Sequence, residues 1–224
     1  QIAPDEPELI YSENQIAVSA KDKSSDFINK ELADSMLQDL DLGVIRRTLL
    51  TTETAGAGSS TRMRNTTSQE FLDLTRSRPN ESLKAALGTN YFLGSYSGNP
   101  HDTFILFTVN SYESAYPGML AWEPFMETDI GRLFPFSRAT TGANANAVQA
   151  SGTASTTITT SNASKPAEFR DRILQNKDTR VLVGEDGNIK FLYTFLDTKT
   201  LLIVSSERGL KEVQSRLTTG RIRR

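Results

Sequence analysis

His101 stands next to Asp102 in the segment GNPHD, and the pair has the residue types of the base and orienter in a hydrolytic triad. That chemistry also needs an activated serine on a tight elbow, and no GxSxG-type segment occurs anywhere in the chain. The preceding Gly98, Asn99 and Pro100 are turn formers, so the local sequence favours a histidine exposed in a hairpin loop. Glu123, Glu127 and Asp129 form a second group, with the types of a carboxylate pair for glycoside hydrolysis. Glu123 and Glu127 share a face only on an unbroken helix, and Pro124 stands between them, so a solvated acidic face is expected instead. Gly56-Ala57-Gly58 is followed by no Gly-Lys-Ser/Thr and lacks an apolar strand immediately before it, so it does not read as a phosphate loop. Asp186-Gly187 lacks the alternating acidic ligands of a calcium loop. Arg221, Arg223 and Arg224 have no interleaved aromatics and read as a solvated basic tail rather than a contact for phosphates or lipid headgroups.

The residue inventory narrows the chemistry further. There is no cysteine and only one histidine, which excludes disulfides, Cys-ligated zinc, iron–sulfur clusters, thiol catalysis and multi-histidine metal sites. No catalytic residues, metal or cofactor are expected, and the chain is not expected to be an enzyme. Lys and Arg total 25 against 27 Asp and Glu, a net charge of −2, which gives no global electrostatic reason to expect nucleic acid as a partner. No apolar run approaches the roughly 20 residues that span a bilayer. The chain begins at Gln1 with neither Met nor a signal-peptide pattern, so a processed or excised piece is expected.

Binding, unlike catalysis, has material to work with. Tyr112 to Phe136 holds Tyr112, Tyr116, Trp122, Phe125, Phe134 and Phe136, including the only tryptophan. Aromatic residues are enriched at the centres of interfaces. Core packing competes for the same rings, because Met119, Leu120 and Ile130 among them must be buried somewhere. Pro117 and Pro124 are expected to break the helix that Ser111 caps, and a broken helix turns some rings outward. Tyr116, Trp122 and Phe125 are therefore the expected exposed trio.

The elements that must position these residues are legible from caps, turns and periodicity. Ser24, Ser25 and Asp26 cap a helix with Phe27, Ile28, Leu32, Met36 and Leu40 on one face, ended by Gly43. Val44 to Thr52 reads as a strand, and Gln69 to Arg76 and Glu81 to Leu87 as short helices separated at Pro79. Tyr91 to Ser97 and Thr103 to Val109 form a hairpin. Glu168 to Asn176 reads as a helix with Phe169 and Ile173 inward. Arg180 to Val183, Ile189 to Leu196 and Thr200 to Ser205 form a meander, and Ser206 opens a last helix with Leu210, Val213 and Leu217 on one side.

These elements predict an α+β fold, a mainly antiparallel sheet with helices packed on it. The FL-containing strands at Phe92 and Phe191, each followed by an apolar strand and a Ser-capped helix, suggest two related hairpin–helix halves. The expected organisation is an N-terminal stalk and first short strand at 1–23, the first half of the α+β domain at 24–137, and a flexible low-complexity insertion at 138–164. The second half of the same domain follows at 165–218 and the basic tail at 219–224. Ala139 to Ser164 carries no charge and only Val148 and Ile158 as large aliphatics, too little apolar surface to offset ordering.

Several phrases also carry a resemblance: ELIYSENQIAV, LGVIRRTLLTT, NYFLGSYSGNPHDTFILFTVNSYESAYPGMLAWEPFM and NKDTRVLVGEDGNIKFLYTFLDTKTLLIVSSERGLKEVQSRL. The series resembles the C-terminal extracytoplasmic domain of an uncharacterised family of single-pass membrane proteins from reduced-genome bacteria. GMLAWE at Gly118 to Glu123 and NKDTRVL at Asn176 to Leu182 are its most specific pieces. The resemblance implies a place on the outer side of the cytoplasmic membrane, with attachment through a transmembrane segment absent from this chain, and it brings no substrate, cofactor or catalytic residue. The expected function is a non-catalytic domain engaging an unknown envelope protein or wall polymer. A small-ligand sensor domain with an apolar pocket is the alternative, and a carboxylate-dependent hydrolase using Glu123 and Asp129 a more distant one.

Overall fold

The computed structural model describes residues 9–55, 61–98, 101–134 and 167–222. The expected insertion at 138–164, Phe136, Gly56-Ala57-Gly58, Asn99, Pro100 and the terminal Arg223 and Arg224 lie outside the described residues. The chain opens with β1 (Asn14–Ser19), α1 (Ser25–Leu37) and β2 (Ile45–Ala55), a unit in which β2 returns parallel to β1 through the helix. β3 (Thr61–Asn65), α2 (Ser68–Leu74), α3 (Glu81–Ala86), β4 (Leu87–Tyr96), β5 (Asp102–Val109) and α4 (Tyr112–Ile130) follow, and a 3-10 turn at Gly131–Leu133 extends α4. The rest is β6 (Glu168–Leu174), β7 (Lys177–Val183), β8 (Ile189–Asp197), β9 (Thr200–Val204) and α5 (Glu207–Ile222). The strands form one nine-stranded sheet in the order β1-β2-β4-β5-β9-β8-β7-β6, with β3 paired to the far end of β2. Every pairing but β1–β2 is antiparallel, so the α+β class expected from the sequence is the observed one. No helix among the described residues is long and apolar enough to cross a membrane.

Both faces of the sheet are covered, which is why β5 reads as an almost uninterrupted apolar run. Leu93, Ile105, Phe107, Phe191, Tyr193, Leu201 and Ile203 point to one face, where α1 to α4 supply Ile28, Leu32, Met36, Phe71, Leu83, Met119, Trp122 and Met126. Ile45, Phe92, Phe104, Leu106, Leu192, Leu202 and Val204 point to the other, beneath Leu210 and Val213 of α5 and Ile10. Ile10 is buried and β1 stands where a first short strand was expected within 1–23, while residues 1–8, the stretch read as a stalk, lie outside the described residues. At the other end α5 runs to Ile222 and takes in most of the stretch expected as a basic tail.

Four local expectations are corrected. Glu168–Leu174 is an edge strand, not a helix, and pairs with β7 from Glu168 opposite Val183 to Leu174 opposite Lys177. Phe169 and Ile173 are four apart, a spacing that puts two residues on one face of a helix and equally of a strand. The tie is broken by Gln175 and Asn176, both at positive φ (50° and 57°), which form the two-residue turn that joins twisted strands. Second, α4 is continuous through Pro117 and Pro124. The two prolines are seven residues apart on its exposed stripe, opposite Ala115, Met119, Trp122 and Met126, so the carbonyls they leave unpaired, on exposed Glu113 and Leu120, face water. Third, α1 ends at Leu37, which leaves Leu40 outside the helix. Fourth, Phe27 is exposed beneath the Lys23 ammonium rather than on the buried face.

The two hairpins expected to be related, β4–β5 and β8–β9, lie side by side about the central β5–β9 pairing. The likeness stops at the helices, since α4 covers one face and α5 the other, and Phe92 and Phe191 accordingly point in opposite directions.

Candidate functional site

The expected aromatic trio does not form one surface. Tyr116 and Phe125 are 40% and 41% exposed, but nine helical positions apart they stand on opposite flanks of α4, and Trp122 between them is 1% exposed. Trp122 is therefore a core residue and is withdrawn from the exposed set: its ring packs under α4 and its Nε1–H donates to Asp129 at 2.8 Å. Phe125 lies against the Arg78 guanidinium, 4.7 Å from ring centre to charge centre. Tyr116 keeps different company. It stands one turn from the exposed Tyr112, with ring centres 6.0 Å apart, and both meet Phe195 of β8, at 4.9 Å from Tyr112 and 6.1 Å from Tyr116. Phe195 was absent from the expected set. Its only signal in the sequence was the alternation Phe191, Tyr193, Phe195, which puts three rings on the α4 side of β8.

Glu123, Glu127 and Asp129 on α4 are each engaged by a different partner. Glu123 accepts from Arg180 Nε and Nη2 at 2.7 and 2.6 Å and from the Tyr193 hydroxyl at 2.7 Å. Its hydrogen bonds raise the Arg180 pKa, and burial followed by the bond to Glu123 raises that of the Tyr193 phenol, so the guanidinium stays charged and the phenol neutral. Glu127 pairs with Lys190. Asp129, on the other flank, accepts from Arg78 N and Nε at 2.7 and 2.9 Å as well as from Trp122. Glu123 and Asp129 therefore do not face each other across a shared space as a glycosidase pair does. Their arrangement fastens α4 to the sheet and to the segment before α3.

Asp102 begins β5 at one end of the sheet, with His101 just before it. Asp102 is fully buried and accepts from Ser205 Oγ at 2.9 Å, Ser206 Oγ at 2.5 Å, and Arg208 Nε and Nη2 at 2.9 and 2.6 Å. The serines donate to the aspartate directly, with no imidazole between, so the order of contacts is that of a structural anchor for the start of α5 and not of a triad. The position leaves no room for side chains around it: a Cβ on Gly209 would lie 3.2 Å from Asp102, and one on Gly98 2.7 Å from the Arg208 guanidinium.

On the opposite face at the same end runs a row of polar side chains. Arg46, Ser95 and Thr103 are successive cross-strand partners on β2, β4 and β5, and Thr103 is tied in turn to Ser205, whose hydroxyl accepts from its N–H at 3.1 Å. Ser95 Oγ, Thr103 Oγ1 and His101 Nε2 are buried atoms without a hydrogen-bond partner. Burial, the largest cause, lowers the His101 pKa and keeps the imidazole neutral at pH 7, with Asp39 and Asp102 pulling up and Arg46 and Arg208 pulling down. None of this row was singled out from the sequence apart from His101; strand alternation was its signal, but the same alternation describes any half-buried strand. No group of three or more His, Asp or Glu side chains among the described residues could hold a metal ion.

No family model, curated protein or solved structure matches the chain.

Proposed function

We propose that this chain is a non-catalytic binding domain that engages an envelope protein or wall polymer on the outer side of a bacterial cytoplasmic membrane. The observation that carries the binding role is the Tyr112–Tyr116–Phe195 cluster, three rings in mutual contact at the junction of α4 and β8, two of them about 40% exposed. Rings fixed on a helix and a central strand lose little conformational freedom when a partner covers them, which is what makes aromatic residues effective anchors. The support beneath them is stiff, since Glu123 and Glu127 tie the same flank of α4 to β7 and β8. Those ties also engage the acids that a hydrolase would need free. The cellular location rests on the sequence resemblance.

The test replaces Tyr112 and Tyr116 with Ser in the full-length protein on intact cells, with a photocrosslinker introduced at Leu120, which is exposed on the same helix. The double variant is expected to fold normally and to lose the crosslinked partner that the wild-type chain captures. Capture of the same partner with unchanged yield by the folded variant would sink the assignment of this surface.

A further inference from the structure

We propose that the polar end of the sheet is a binding site for a small oxyanion, a carboxylate or phosphate group, gripped by Arg46, Ser95, Thr103 and His101. The site is separate from the aromatic surface and independent of its role. Arg46 is the first reason. Only 8% of its surface is exposed, and its guanidinium donates to the main-chain oxygens of Asp39 at 3.0 Å and Gln38 at 3.4 Å and to the Gln38 side chain at 3.4 Å. These oxygens lie on the chain just past α1, and among the described residues no carboxylate pairs with Arg46. A buried cation answered only by carbonyls retains most of its attraction for an anion.

The second reason is independent of charge. Ser95 and Thr103 are 0% and 2% exposed, and their hydroxyls, like His101 Nε2, have no partner. A sheet position that only needed filling would be met more favourably by Ala or Val, because a buried hydroxyl without a hydrogen bond is destabilising. These hydroxyls are direct neighbours of Arg46 in the register, so that guanidinium and hydroxyls span two strand spacings, about 10 Å. Hydroxyl O–H groups, a guanidinium fork and a neutral imidazole carrying its proton on Nε2 are all donors to a carboxylate or phosphate. A cation would be repelled by Arg46, and a neutral alcohol would leave its charge unanswered. Of the two acids that act on His101, Asp102 lies on the far face and is paired with Arg208, and Asp39 is exposed, where solvent and salt screen its charge.

The experiment uses the full chain and its only histidine, whose ring protons give an unambiguous signal in NMR. Inorganic phosphate and acetate are titrated separately against chloride at constant ionic strength, with the melting temperature followed in parallel. At least one of the two is expected to move the His101 signals saturably and to raise the melting temperature by several degrees; which one does so separates a phosphate from a carboxylate site. The Ser95→Ala/Thr103→Val double variant is expected to melt at the same or a higher temperature in chloride and to bind at least tenfold more weakly. Absence of a saturable shift in the wild-type chain overturns the proposal whatever the variant does. Binding of equal strength to the variant overturns it too, because the anion would then sit elsewhere.

Discussion

Glu123 and Arg180 meet as a two-pronged ion pair, with both carboxylate oxygens taken by guanidinium nitrogens at 2.7 and 2.6 Å. Glu123 closes the GMLAWE segment on α4 and Arg180 lies within NKDTRVL on β7, so these two stretches are brought face to face by this contact. Arg180 Nη1 reaches on to Asp171 of β6 at 2.9 Å, which extends the link to the edge of the sheet.

Arg180→Met should therefore destabilise the fold by about 2–4 kcal/mol, since Glu123, with its side chain only 13% exposed, would lose its counterion and two hydrogen bonds. Replacing both residues, Glu123→Leu with Arg180→Met, should recover a large part of that loss. Urea denaturation of the single and double variants gives the comparison. A single variant within about 0.5 kcal/mol of wild type would place the pair among ordinary solvated surface bridges.

Gly118 lies where α4 packs closely against α3. A Cβ there would lie 2.7 Å from Leu83 Cβ and 3.1 Å from Leu83 Cα, against the backbone of α3, which has no freedom to swing aside. Gly118→Ala is expected to cost about 1–3 kcal/mol despite the higher helix propensity of alanine. A melting temperature equal to or above that of wild type would show that α3 and α4 can separate without loss.

Acid should weaken the start of α2 before neutral pH touches it. Glu70 accepts from Arg64 and, in a capping box, from the Thr67 N–H, and its hydrogen bond to Arg64 is the main cause that pushes its pKa down from 4.5 to about 2. A carboxyl whose pKa is lower in the folded chain is protonated first in the unfolded one, so its stabilisation is complete above about pH 4.5 and disappears as the pH falls toward 2. Both side chains are 36% exposed, which limits the contribution to about 1 kcal/mol or less. Glu70→Gln should melt below wild type at pH 7, and the two curves should converge as the pH falls through about 2. A gap that persists unchanged at low pH would assign the effect to something other than charge.

Much of this architecture was written in short stretches of sequence because its causes are short-ranged. Ser24, Ser111 and Ser206 each accept from a backbone N–H three residues on, so the starts of α1, α4 and α5 depend on a handful of neighbouring residues. The apolar runs of β4, β5, β8 and β9 between turn-forming residues likewise announce strands, and an α+β sheet follows from their number and spacing. Where the spacing fitted both periods, as in Phe169 and Ile173, only pairing with β7 decided for a strand. Tertiary structure also decided the fate of the α4 rings. Trp122 is buried because the sheet lies beneath it, and Tyr116 finds Phe195, contributed from nearly eighty positions away, beside it. Exposure and partnership are properties of the surroundings that a side chain meets after folding, and pairs such as Glu123 with Arg180, or Arg46 with Ser95 and Thr103, come from strands and helices whose order in the sheet no local pattern encodes.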